Sequence, residues 1–159
     1  MDITLITVGK LKEKFYVSAA AEYEKRLKAY CNFRIIELPE TRLPENPSPA
    51  EIKSGLQKEA AHIQEKIPKG SWFCVLTPEG KLLSSESLAE KIKMVKISGK
   101  SSICFLIGSS FGICQSLKEK ADFKLSMSPM TFPHHLARIM VLEQIYRAEA
   151  IQAGSKYHK

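Results

Sequence analysis

The chain has 159 residues, with 24 Lys and Arg against 17 Asp and Glu, a formal charge of +7, and 44% hydrophobic residues. That length supports one ordinary core, so a single domain over residues 1–159 is expected. No apolar run approaches the roughly 20 residues of a membrane-spanning helix, and the basic balance favours a polyanionic partner such as nucleic acid.

In chain order, Ile3 to Val8 is apolar and β-branched and reads as a strand ended by Gly9. The segment opens the chain without the charged lead and long apolar stretch of a signal peptide, so the cytoplasm is the expected compartment. Phe15, Ala19, Tyr23, Leu27 and Tyr30 recur at helical spacing on a charged segment. Phe33 to Leu38 is a second strand, followed by a proline-broken loop over residues 39–48. Ser48-Pro49-Ala50-Glu51 has the form of a capping box with proline at the first helical position. The helix it opens carries an apolar stripe of Ile52, Leu56, Ala60, Ile63 and Ile67.

Trp72 to Leu76 is a third strand, closed by the turn Thr77 to Leu83. Ser84 or Ser85 caps a helix whose inner face is Leu88, Ile92 and Val95. Ile103 to Ile107 is a fourth strand, Gly108 to Gly112 a turn, and Ile113 to Lys120 a short helix. Phe123 to Met127 is a fifth strand. The longest helix runs from about Pro133 to Ala153, with Leu136, Ile139, Met140, Ile145 and Ala148 as its apolar face, and Gly154 ends it. Cys31, Cys74, Cys104 and Cys114 include no C-x-x-C pair, and Cys74 and Cys104 read as small buried hydrophobes inside strands.

Five near-continuous apolar strands alternating with helices define an α/β fold, a mostly parallel sheet covered on both faces. Ligands of such sheets bind beyond the carboxyl ends of the strands. Attention therefore falls on Thr77 to Leu83, on Gly108-Ser109-Ser110-Phe111-Gly112, and on Ser126 to Pro133. The glycine turn contains no G-x-x-x-x-G-K-[ST], and no G-x-G-x-x-G follows the first strand, which excludes a P-loop and the usual dinucleotide fingerprint. Two prolines fix the Met- and Phe-rich third loop, where backbone hydrogen bonds beside soft apolar groups suit an adenine ring and a sulfonium. Read alone, each loop is equally compatible with plain packing.

Several segments together are more specific than any one of them. They are Ile6-Thr7-Val8-Gly9-Lys10, Glu22 to Leu27, Leu83-Ser84-Ser85-Glu86, Leu106-Ile107-Gly108, Met130-Thr131-Phe132-Pro133-His134, Glu143 to Ala148 and the final Tyr157-His158-Lys159. The chain resembles, over its whole length, the RlmH family of large-subunit ribosomal RNA methyltransferases, of the SPOUT class. The resemblance implies a C-terminal trefoil knot, which pattern reading would not suggest because chains are unknotted by default. It also implies a homodimer in which the partner completes each active site, S-adenosylmethionine as methyl donor, and no metal. The implied substrate is a pseudouridine in a stem-loop of large-subunit rRNA in the assembled ribosome, methylated at N3. By position, the cofactor pocket it implies is Leu76, Gly108, Met127, Ser128, Pro129, Met130, Thr131 and Phe132. The family turn usually reads Gly-Gly-x-x-Gly; here Ser109 replaces its second glycine, tolerating a positive φ less well and adding a hydroxyl, but serine is small and cofactor binding is expected to survive.

For the chemistry, His158 is the candidate base because an imidazole ordinarily titrates near neutrality. Arg138 is the candidate stabiliser of developing negative charge or ligand of a flanking phosphate, and Tyr157 the candidate stacking partner of the target base. Two other readings compete: an unknotted Rossmann-like nucleotide enzyme, and a non-catalytic RNA-binding protein that keeps the fold.

Overall fold

A computed structural model describes residues 1–159. Its strands are β1 (Asp2–Val8), β2 (Asn32–Leu38), β3 (Trp72–Leu82), β4 (Ser102–Ile107) and β5 (Phe123–Ser126). Its helices are α1 (Lys14–Leu27), α2 (Pro49–Lys66), α3 (Ser85–Ile97), α4 (Gln115–Lys120) and α5 (His134–Gln152). The strands form one sheet in the order β2-β1-β4-β3-β5, and every neighbouring pair is parallel. The expected α/β architecture is the one observed.

Alternation along the strands divides the core in two. Ile3, Leu5, Ile103, Phe105 and Ile107 face α1, α3 and α5, whereas Ile6, Val8, Cys104 and Leu106 face α2 and α4. β4, covered on both faces, is buried at all six positions, and each fully buried Ile or Leu contributes about 1.5–3 kcal/mol. Cys74 and Cys104 lie in these layers as free thiols, and burial pushes Cys104 up to about 12.

The helix starts follow the sequence. Ser48 Oγ accepts from the Glu51 amide at 3.1 Å while Glu51 accepts from the Ser48 amide, the expected capping box. Ser84 caps α3 by accepting from Ser87 N at 3.1 Å.

Three expectations change. The segment after Leu76 is a continuation of β3 rather than a loop, interrupted by a bulge between Leu76 and Lys81. Gly80 permits this, because a Cβ there would lie 2.6 Å from the Leu125 carbonyl carbon; the strand crosses β5 backbone to backbone. Helix α1 is rotated from its expected stripe at its start: Phe15 is exposed, while Tyr16, Ala20, Tyr23 and Leu27 face the core. The buried stripe of α5 is Arg138, Val141, Leu142, Ile145, Ala148 and Glu149, leaving Leu136, Ile139 and Met140 half-buried. Two charged residues belong to that stripe, which a search for apolar periodicity passes over.

Candidate active site

The extension of β3 past Leu76 and the loops beyond β4 and β5 enclose a cleft of 440 Å³, within the roughly 300–1,000 Å³ of small-ligand sites. All eight residues expected to hold a cofactor line it: Leu76 from β3, Gly108 after β4, and Met127, Ser128, Pro129, Met130, Thr131 and Phe132 after β5. The topology brings them together, since three parallel strands deliver their following loops to one end of the sheet.

The third loop is shaped by its own serines. Ser128 Oγ accepts from the Met130 amide at 2.9 Å, and Ser126 Oγ donates to the Ser128 carbonyl at 3.3 Å. Residues 128–132 make no backbone-to-backbone hydrogen bonds among themselves or with other loops. Apart from the Met130 amide and the Ser128 carbonyl, which those serine hydroxyls engage, their backbone polar groups are ones a bound ligand can satisfy. Apolar Leu76, Met127 and Phe132 stand beside them.

The glycine turn works differently from expectation. A Cβ on Gly108 would overlap the Gly112 carbonyl oxygen and Ile113 Cγ1. The glycine is needed for the turn to close on itself, before any ligand is considered. Ser109 has no positive φ, so replacing glycine there strains nothing; only Gly112 in the turn, at +100°, uses that region. Ser109 is buried, and its Oγ has no hydrogen-bond partner. At the rim, Lys118 and Thr77 both donate to Glu79, which holds its carboxyl down at about 2.

The three expected catalytic residues lie elsewhere. Arg138 is not on a solvated face: it is 2% exposed. Its Nη1 donates to Glu37 Oε2 at 2.7 Å and its Nη2 to the Gly9 carbonyl at 2.9 Å. Burial lowers its pKa and the Glu37 pair raises it again. Within one chain Arg138 fastens α5 to the ends of β1 and β2, and is closed to a phosphate arriving from solvent.

Tyr157 and His158 form a docked tail. Tyr157 Oη donates to Glu143 Oε1 at 3.1 Å and its ring packs edge-on to Tyr146. Burial and Glu143 push its phenol up to about 12. Arg147 Nη1 donates to His158 Nδ1 at 3.1 Å, and His158 Nε2 donates to Glu86 Oε1 at 2.8 Å. Arg147 also pairs with Glu143 at 2.6 Å. With both nitrogens engaged, His158 accepts a substrate proton only by breaking the Arg147 contact. Arg147, which holds the tail, is ten residues along α5 from Ala137, one lining residue of the cleft, a rise of about 15 Å along the helix axis. Neither Tyr157 nor His158 lines the cleft.

A second cleft, of 610 Å³, opens beyond β1 and β2, between Gly9, Lys10, Lys12, Glu40, His134 and His135. His134 lines both clefts. Burial, then the neighbouring His135, lower the pKa of His134. By sequence His134 is only a polar residue at the start of the last helix; the structure sets it in the first turn of α5, between two loop clusters. Nowhere do three or more His, Cys, Asp or Glu side chains gather as a metal site would require.

These features meet known proteins at two levels. In fold, the chain is similar to the solved tRNA (m1G37) methyltransferase from Aquifex aeolicus, with a TM-score of 0.54 over 92% of this chain and 70% of that one at 13% identity. In sequence, the family model described as "Predicted SPOUT methyltransferase" matches residues 1–158. Curated relatives named "Ribosomal RNA large subunit methyltransferase H" align over the full length of both chains, at 46% identity in Alkaliphilus oremlandii and 43% in Leuconostoc mesenteroides. The fold and site thus define a SPOUT methyltransferase. Within that class the chain belongs to the family of ribosomal RNA large subunit methyltransferase H.

Proposed function

We propose that this methyltransferase moves a methyl group from S-adenosylmethionine to N3 of a pseudouridine in a large-subunit rRNA stem-loop. It acts as a homodimer on assembled ribosomes in the cytoplasm. The observation that carries the reading is the convergence of Leu76, Gly108 and Met127 to Phe132 on one cleft, beside a loop whose backbone makes no bonds to other backbone. Those residues fit the cofactor: free amides and carbonyls suit an adenine edge, Met127 and Phe132 suit its apolar faces, and the unpartnered Ser109 Oγ offers a further polar contact. When bound, S-adenosylmethionine supplies an electrophilic methyl group.

The rest of the work falls to the chain. The cleft orients the donor, and exclusion of water strengthens its polar contacts. Neither Tyr157 nor His158 lines the cleft of its own chain, which favours their serving the cleft of the partner copy. The half-buried Leu136, Ile139 and Met140 of α5 are apolar surface for that partner. The trefoil knot belongs to the same reading. Ser109 was the one feature favouring a non-catalytic RNA-binding protein, and it introduces no strain.

The test is a titration with S-adenosylmethionine followed by amide NMR. Saturable shifts are expected at Gly108, Ser109 and residues 127–132, with little change in the tail. Binding that leaves those amides unmoved would put the cofactor elsewhere.

A further inference from the structure

The second cleft, lying outside the cofactor pocket, has the features of a substrate subsite. Its carboxylates are already occupied: Glu37 by Arg138 at 2.7 Å, and Glu40 by Ser110, which donates at 2.9 Å. Just outside, Glu13 stands 3.4 Å from His135. Lys10 and Lys12 are exposed and have no ion pair. The cleft therefore presents two uncommitted cations beside the Arg138-paired Glu37 and the Ser110-bonded Glu40. His134, without a hydrogen-bond partner of its own, is the side chain common to this cleft and the cofactor cleft. Arg138 holds the geometry, because both of its acceptors, Glu37 and the Gly9 carbonyl, line the second cleft. Gly9, at a φ of +94°, is the turn that lets that carbonyl face Arg138.

We propose that this cleft receives the target nucleotide of the RNA substrate, with its backbone phosphate on Lys10 and Lys12 and its base against His134, across the shared wall from the cofactor. The inference rests on the RNA methyltransferase reading and adds to it the place where the substrate enters. A uracil-type base presents both acceptors and N–H donors. A half-buried imidazole that is not saturated by the protein can meet either kind. Two lysines supply the phosphate contacts that position a strand without reading its sequence.

The test uses the full-length protein and ribosomal large subunits from cells lacking this gene. Lys10→Ala with Lys12→Ala removes the phosphate contacts at exposed positions where folding is undisturbed. His134→Gln, in a separate variant, keeps a donor and an acceptor but changes the shape. For the double lysine variant, KM for the subunits is expected to rise about 10-fold or more, and the slope of log affinity against log salt to fall by about 2. Affinity for S-adenosylmethionine, measured alone by calorimetry, stays as in the unaltered protein. His134→Gln is expected to lower kcat, measured at saturating S-adenosylmethionine because His134 also lines the cofactor cleft. Unchanged KM and salt slope in the lysine variant, with the unaltered protein active, overturn the subsite and leave the methyltransferase reading standing. An unaltered protein that binds the cofactor but methylates no subunit RNA overturns both.

Discussion

The cofactor cleft and the polar end of α5 with its tail show two ways in which residues become a site. In the cleft, position along the chain decides nearly everything. A loop that follows a parallel strand emerges at the carboxyl edge of the sheet, so Leu76, Gly108 and Met127 to Phe132 meet whatever their side chains are. In the tail region, side-chain pairing decides. Arg138, Arg147, Tyr157 and His158 are drawn to Glu37, Glu143 and Glu86, and no periodicity shows which carboxylate each will find. Backbone-built sites follow from topology, and ion-pair networks follow from packing.

The comparison breaks most visibly if the two regions fail independently. Deleting Tyr157 to Lys159 is expected to reduce methyl transfer by about 100-fold or more, on the scale of losing a positioned catalytic group, while affinity for S-adenosylmethionine stays within about 2-fold. Parallel transfer and calorimetry assays decide it; equal loss of both would mean the tail supports the cleft instead of the chemistry.

Next in size are two substitutions that test the glycine turn from within. Gly108→Ala is expected to cost about 1–3 kcal/mol in urea unfolding, as overpacking does, because its Cβ meets the Gly112 carbonyl. Ser109→Gly should change stability by less than about 1 kcal/mol, since Ser109 holds an unstrained φ. A reversal of that order would mean the turn is held open by a ligand-free geometry other than the one described.

Arg138→Met tests whether the buried arginine is a fastening. It leaves the Gly9 carbonyl without its donor, and about 1–3 kcal/mol of stability should be lost. Unchanged stability with lost transfer would return Arg138 to the chemistry.

The smallest effects concern pH. The Tyr157 phenol is raised to about 12, so the folded state favours its protonated form. The stability it lends the tail is fully present below its ordinary value near 10 and disappears as pH rises toward about 12. Tyrosinate absorbance should show one late-titrating phenol, absent after tail deletion. Glu79 runs the other way: held at about 2, it lends stability above the usual carboxylate range that is lost as pH falls toward 2. The Glu79–Lys118 pair is exposed on the Glu79 side, so Lys118→Ala should cost under about 1 kcal/mol.

The same contrast explains what the sequence made legible. Every strand core and helix was readable from apolar period and caps, because those signals are local. The β3 extension was not, since it depends on Gly80 meeting Leu125, a contact spanning 45 positions whose only local trace is a missing side chain. The buried face of α5 was misjudged because Arg138 and Glu149 lie in it. Each is buried only because a partner on another element, Glu37 for the first and Lys96 for the second at 2.8 Å, neutralises it. The placement of His134 was hidden for a similar reason: it results from two loop clusters converging on one helix terminus.

The most direct test of the account is to incubate the purified protein and S-adenosylmethionine with large subunits from cells lacking this gene, then map the RNA by mass spectrometry. The account predicts a single added methyl on one pseudouridine, at N3, in a stem-loop. No added methyl, or a methyl on another class of nucleotide, would contradict it.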